Sequence, residues 1–516
     1  MSLEKFQQEV QGAFTFSGKN ILLGGAAYDK KTIPNLGVKI PLSTVNRHGL
    51  IAGATGTGKT KSIQRFAEAL SEQGVNVLLM DIKGDISGIS KPGSENPKIK
   101  ERMASIGVPW APSEYPTELM TISNEKGLRL RATVSEFGPV LFSKILELND
   151  NQEGAVAIVF KYCDDKNLPL LDIKDFRAAI QHLSDGEGKK EIADNYGSIS
   201  PATSGVIMRK LLELEQQGGD KFFGEKSFEV EDLLQKNQGK AFINILRLTD
   251  IQDRPKLFST FMLCLLAEIY SKFPEIGDKG DPKLIIFIDE AHLIFKEASP
   301  ALMQQLETII KLIRSKGVGI FFATQAPTDI PDIILSQLGT KIQHALRAFT
   351  AKDRKDIKLV AENFPTSDYY QTDQLITELG IGEALVTVLS EKGTPTPLVH
   401  TMMCAPQSRM DVITPAEQDQ IIASSAIAKM YNEEIDRQSA YEILKGKIAS
   451  AQNSSEAQSH EEENAPAISS GITDTIKAIA NSSITKTVVR EVTRGLLGVL
   501  IGKPSRSSSR SSKSIF

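Results

Sequence analysis

Around one glycine-rich segment the apolar pattern changes period twice. His48–Ala52 is a short apolar run that predicts a strand. From Lys59 to Gln73 the apolar residues Ile63, Phe66, Ala67 and Leu70 fall at i, i+3, i+4 and i+7, the stripe of a helix, with Gly74 as its stop. Val75–Met80 is almost continuously apolar and ends in Asp81, as expected of a parallel strand covered on both faces. Together the three segments predict a βαβ unit.

The same alternation returns further along. Strands are expected at Ala241–Leu246, Leu284–Ile288, Val318–Ala323, Lys341–Leu346 and Ala384–Leu389. Helical stripes lie between several of them. One is built of Phe258, Phe261, Met262, Leu265, Leu266 and Ile269, another of Leu302, Leu306, Ile309, Ile310 and Ile313. Such a sequence predicts an α/β fold, a mostly parallel sheet with helices on both sides.

Breaks in the pattern suggest the organisation. Residues 1–83 hold the lead-in strands and the start of the core. Residues 84–239 read as a mainly helical insertion. It opens on the Pro/Gly-rich stretch KPGSENPK, has an expected hairpin around Leu128–Val134, and carries helices such as Gly138–Leu148 and Gly205–Gln216. The core resumes over 240–410, and 411–452 reads as helical, roughly from Pro415 to Ser450. A polar linker at 453–471, poor in bulky apolar residues, is expected to be disordered. Residues 472–516 combine an imperfect amphipathic segment with a flexible basic tail, KPSRSSSRSSKSIF.

Composition narrows the function classes. With 516 residues, 41% hydrophobic and 24% charged, the chain is long enough for two or three globular domains. Its net charge of -4 is unevenly spread: 472–516 carries +6, leaving -10 for 1–471. An acidic body argues against a surface that coats nucleic acid all over, and leaves room for a local basic loop or pore. Cys163, Cys264 and Cys404 are far apart, without metal-ligand spacing, and read as free thiols in a reducing compartment. No signal peptide or bilayer-spanning run is visible, so a cytoplasmic location is expected. The tail could meet nucleic acid or an anionic surface, or simply aid solubility.

The glycine-rich segment itself carries the chemistry. Gly53, Ala54, Thr55, Gly56, Thr57, Gly58, Lys59 and Thr60 satisfy GxxxxGK[ST] in full, and Lys61, a second cation directly after them, is expected to join them in binding the nucleotide. Glycines let backbone N–H groups turn onto phosphate oxygens, at the positive end of the next helix. Lys59 is expected to reach the β- and γ-phosphates, and Thr60 to bind Mg²⁺. The apolar strand Leu284–Ile288 then delivers Asp289 and Glu290 to the same sheet edge. Asp289 suits the metal, through water, and Glu290 suits a general base acting on the attacking water. Gln325, after the strand Val318–Ala323, is expected to sense the γ-phosphate and the attacking water, a role favoured over a turn residue bonded to its own backbone. Asp81 could support the metal or build the turn DIKGD. His292 reads more readily as a packed or capping histidine than as a ligand. Arg314 is the candidate cation for the transferred phosphoryl group, with Arg347 and Arg354 behind it. As it ends a helix, Arg314 could equally serve the dipole there.

GATGTGKT, DIKGD, LIIFIDEAHLIF and RSKGVGIFFATQ, in this order, resemble the HerA/FtsK superfamily of P-loop ATPases, in particular its bacterial HerA-like (YjgR-type) branch. The segment RGLLGVLIG followed by Ser and Arg is similar to the tail of that branch. The resemblance covers nearly the whole chain. It implies a RecA-like P-loop NTPase core, ATP and Mg²⁺ as ligands, a homo-hexameric ring and motor activity on double-stranded DNA. It places Arg314 where the superfamily has an arginine finger acting on a neighbour's ATP. Archaeal members carry a β-barrel before the cradle, whereas only 52 residues precede Gly53 here, too few for a barrel plus lead-in strands. The alternative is an ATPase of the same architecture that acts on an unknown protein partner or as a nucleotide switch. A small-molecule phosphotransferase is disfavoured by Glu290 beside Asp289, which points to water as acceptor.

Overall fold

The strand signals come together in one large sheet. The structure, a computed structural model, describes residues 2–446 apart from 252, 253, 278, 279, 297–299, 434 and 436. The expected linker, amphipathic segment and basic tail lie outside the described residues. Twelve strands form the sheet. They are β1 (Asn20–Tyr28), β2 (Lys31–Pro41), β3 (Gly49–Ala52), β4 (Asn76–Asp81), β5 (Thr117–Thr121), β6 (Leu128–Arg129), β7 (Ile243–Arg247), β8 (Leu284–Ile288), β9 (Val318–Thr324), β10 (Thr340–Gln343), β11 (Glu383–Thr387) and β12 (Val399–Met403). Their spatial order is β2-β1-β12-β11-β10-β3-β9-β8-β4-β7-β5-β6. From β10 to β6 neighbours run parallel; from β10 back to β2 they run antiparallel.

The central strands read as unbroken apolar runs because both faces are covered. In β8, Leu284, Ile286 and Ile288 enter one core while Ile285 and Phe287 enter the other. β4 and β9 divide their residues the same way, as period two demands. On one face the helix Lys59–Glu72 lays Phe66 against Phe287 and Phe321, ring centroids 5.5 and 5.1 Å apart, edge to face. Burying a phenyl ring in this way contributes about 1.5–3 kcal/mol. The other face is covered by Pro255–Lys272, Pro300–Ile313 and the helices between 134 and 216, which share one apolar core with the sheet.

Register then decides where chemistry can happen. Ile288 lies opposite both Met80 and Phe322, and Thr324 opposite Ala52. The residues that follow, Asp289, Gly53 and Gln325, therefore emerge on one edge with Asp81. Ligands of open parallel sheets gather at this edge.

The expected hairpin at Leu128–Val134 is not formed. Leu128 and Arg129 instead extend the large sheet parallel to β5, Met120 opposite Leu128, and a helix begins at Val134. The alternation of Leu128, Leu130 and Ala132 signals an extended segment facing a core but carries no information about its partner or direction. The segment after α-helical Pro415–Ser424 is also broken, since Ala428–Asn432 is a separate helix.

Candidate functional site

The cradle is anchored on both flanks. Gly53 donates its N–H to Thr324 O at 3.2 Å, and Ala54 donates to Ala345 O at 2.8 Å. The loop thus hangs between the ends of β9 and β10, with Thr55 and Gly56 exposed at its tip. Gly58 caps the helix Lys59–Glu72 in a left-handed conformation, with no side chain bonding the first-turn N–H groups. Those donors suit an anion. Lys59 is buried, and its ammonium folds back to donate to Gly53 O at 2.5 Å and Ala54 O at 3.3 Å. Burial, then the nearby Lys83 charge, lower its pKa. A triphosphate would supply the anionic partner this ammonium now finds in carbonyls.

The backbone outside the loop braces it. Gly382 donates its N–H to Thr57 O at 2.9 Å. Arg102, on the helix Pro97–Ile106, in turn donates to the Gly382 and Ile381 carbonyls, both at 2.9 Å, and to Met403 O at 3.3 Å. Behind the loop, His344 points Nδ1 at Glu383 O, and burial lowers its pKa to about 4, so it is neutral. Lys61 faces away from the cradle, donating to Met410 O at 2.5 Å and Gln64 Oε1 at 3.3 Å.

Asp289 and Glu290 leave β8 side by side, both buried. Asp289 Oδ1 accepts from the Glu290 N–H at 3.0 Å, and burial raises the Asp289 pKa. Glu290 sits at a positive φ of 47°, an uncommon conformation for a side chain of this length. Its carboxylate pairs with Lys83 and stands 3.3 Å from His292 Nδ1. Asp81 spends its oxygens on its own turn, accepting the N–H groups of Gly84, Asp85 and Ile86 at 2.7, 3.3 and 3.3 Å. Of the two roles open to it from sequence, building the turn is the one these bonds describe.

Two residues at the site were missed by motif reading. Lys83 is one. Asp85 is the other: its Oδ2 lies 3.4 Å from Thr60 Oγ1, and its Oδ1 is buried without a hydrogen-bond partner. Thr60, Asp85 and Asp289 are hard oxygen donors that fit a magnesium ion carried by phosphates and water. The only signal in the sequence was the turn DIKGD itself, which marks a bend and not which side chains it turns inward.

Gln325 follows β9 directly and is exposed beside the cradle's anchor at Thr324. Arg314 is elsewhere. It begins the turn Arg314–Lys316 ahead of β9, where its carbonyl accepts from Asn46 at 3.5 Å near the start of β3. The seven residues of β9 separate that end from the cradle, a span of about 20 Å. Arg314 thus lies at the end of the strand remote from the cradle of its own chain. Arg347 lies on the cradle edge but donates to the Thr377 and Leu379 carbonyls at 2.6 and 3.3 Å, and Arg354 is exposed on the helix Ala351–Glu362.

Among the described residues no helix is long and apolar enough to cross a membrane. The profile of the family described as Helicase HerA-like C-terminal matches residues 28–506. The DNA double-strand break repair helicase HerA of Sulfolobus acidocaldarius is 23% identical over 377 residues, covering 68% of this chain and 64% of that protein. The DNA import protein CedB of the same organism is 23% identical over 353 residues, covering 67% of this chain and 51% of that protein. The chain thus spans under two thirds of the length of these relatives. Among solved structures, the bacterial conjugative coupling protein TrwBdeltaN70 is similar in fold, with a TM-score of 0.51 at 14% identity, over 79% of this chain and 94% of that one.

Proposed function

Because the chain belongs to the HerA-like helicase family, within the HerA/FtsK superfamily of P-loop ATPases, we propose that it is an ATP hydrolase working as a motor on double-stranded DNA. The observation that carries this reading is the shared edge: phosphate loop, Asp289–Glu290 and Gln325 emerge from three neighbouring parallel strands. Gly53–Thr60 receive the triphosphate, with Lys59 leaving its carbonyls for the β- and γ-phosphates. Thr60 and Asp289 hold magnesium, whose charge offsets that of the phosphates. Glu290 takes the proton of the attacking water, and Gln325 orients that water against the γ-phosphorus.

Arg314 supports assembly as a ring, the homo-hexamer of the superfamily. Its place at the far end of β9 serves a neighbour's nucleotide and not its own, so hydrolysis is completed at subunit interfaces. The relatives named for DNA repair and DNA import support DNA as the substrate. One observation favours a second reading, an ATPase acting on a protein partner: residues 1–471 carry a net charge of -10.

The deciding experiment is ATP turnover with and without double-stranded DNA, at stated ionic strengths from low to moderate. Stimulation that fades with salt is expected, as counterion release requires. Turnover indifferent to DNA throughout that range would replace the DNA motor with the second reading.

A further inference from the structure

Asp289 and Glu290 are two neighbouring carboxylates with side chains only 10% and 7% exposed. Taking such a pair out of water is costly unless a cation answers it. The cation that does so is not Lys59, which is turned onto the carbonyls of its own loop. It is Lys83, whose Nζ pairs with Glu290 and lies 3.9 Å from Asp289 Oδ2. Its backbone is fixed at a turn that Asp81 closes with three accepted N–H bonds. Its side chain is 32% exposed, far more than either carboxylate. An anchored backbone with a side chain partly open to solvent is the construction of an arm that can swing.

We propose that Lys83 is a positioning residue that stands in for the divalent cation. In the nucleotide-free chain its ammonium answers one of the two charges of Asp289 and Glu290, and it gives the pair up when magnesium enters with the nucleotide. The proposal rests on the ATPase reading above. It explains how two carboxylates can wait beside a phosphate loop with less repulsion of the incoming triphosphate. Once displaced, the ammonium remains tethered at the same edge, within reach of the phosphates it had been kept from. Removing it should have two opposite effects. The bare carboxylate pair should attract a divalent cation before any nucleotide is present, and it should repel a triphosphate that arrives without metal.

The test uses the full chain as wild type, Lys83→Met and Lys83→Arg. Binding of Mn²⁺ to the nucleotide-free protein is read from the electron paramagnetic resonance of the free ion. Affinity for a fluorescent ATP analogue is read in magnesium and again in a chelator. Lys83→Met should bind Mn²⁺ about tenfold tighter and the metal-free analogue about tenfold more weakly, the scale of one charge acting at short range in a partly wet site. Lys83→Arg should return both values toward wild type. Unchanged Mn²⁺ binding together with an unchanged ratio of metal-free to magnesium-dependent affinity would overturn the proposal. A wild type that fails to bind the analogue in either condition would instead overturn the ATPase reading beneath it. Thermal unfolding reports whether Lys83→Met still folds; if it does not, Lys83→Gln, which keeps the stem and a polar head, is measured in its place.

Discussion

Two alanine substitutions in the cradle should differ sharply in cost, although both replace a glycine of one motif. Gly56 has φ 77°, and a Cβ built there meets nothing within 4 Å. Alanine at this position bears only the left-handed backbone term, about 1–2 kcal/mol. Gly53 has φ 152°, and its Cβ would come within 2.5 Å of His344 Cβ and 3.0 Å of Thr57 Oγ1. The nearer atom is bonded directly to the His344 backbone, whose N–H is held by Ala52 O, and its ring is held by Glu383 O, so it cannot swing aside. Backbone strain of about 1–3 kcal/mol and overpacking of about 1–3 kcal/mol then add, giving about 4 kcal/mol. Denaturant unfolding without nucleotide measures this cost, and titration with a fluorescent nucleotide measures whether the loop still binds. Gly53→Ala should unfold at clearly lower denaturant and lose nucleotide binding, while Gly56→Ala keeps its fold nearly intact. Equal destabilisation by the two would refute the geometry, because the motif alone cannot tell these glycines apart.

Glu290→Gln should bind ATP as wild type does and turn it over about 10²–10⁴-fold more slowly, the usual worth of a general base; rapid-quench turnover at the wild-type rate would exclude that role. Mixing Arg314→Ala with Lys59→Ala chains should restore part of the turnover lost by each alone, and mixed assemblies without rescue would remove Arg314 from the neighbour's site. Burial raises the Asp81 pKa from 3.8 to about 6, so the folded chain retains a proton the unfolded chain releases. Stability from this group is therefore full below pH 4 and is lost as pH rises through 6, by about 3 kcal/mol, and burial moves Asp289 in the same direction. Asp81→Asn should flatten that slope in pH-dependent unfolding; an identical slope would place the effect on other groups.

The cradle and the Asp289–Glu290 pair were legible in sequence because each sits where a buried apolar run stops, and runs of parallel strands stop along one edge. β8 matched its expected bounds for that reason. β10 is shorter than its apolar run because the chain leaves the sheet after Gln343, and Ala345 turns its carbonyl to the cradle. Lys83 and Asp85 were marked only as parts of a turn, since a turn residue shows its orientation only after the turn has folded onto another strand's end. Arg314 was visible as a cation near β9, but which end of the sheet it occupies depends on the strand's direction. Lys61 shows the converse. Adjacency to the motif suggested the phosphates, yet one step along a helix rotates a side chain by 100°, and its ammonium meets Met410 O instead.

Arg102 and Gly382 have a mechanical corollary. Two hydrogen bonds in series, from guanidinium to the Gly382 carbonyl and from the Gly382 amide to Thr57, join the helix Pro97–Ile106 to the wall of the phosphate loop. Load applied to that helix is delivered to the cradle through a linkage with almost no slack, and tightening of the cradle is felt at the helix by the same route.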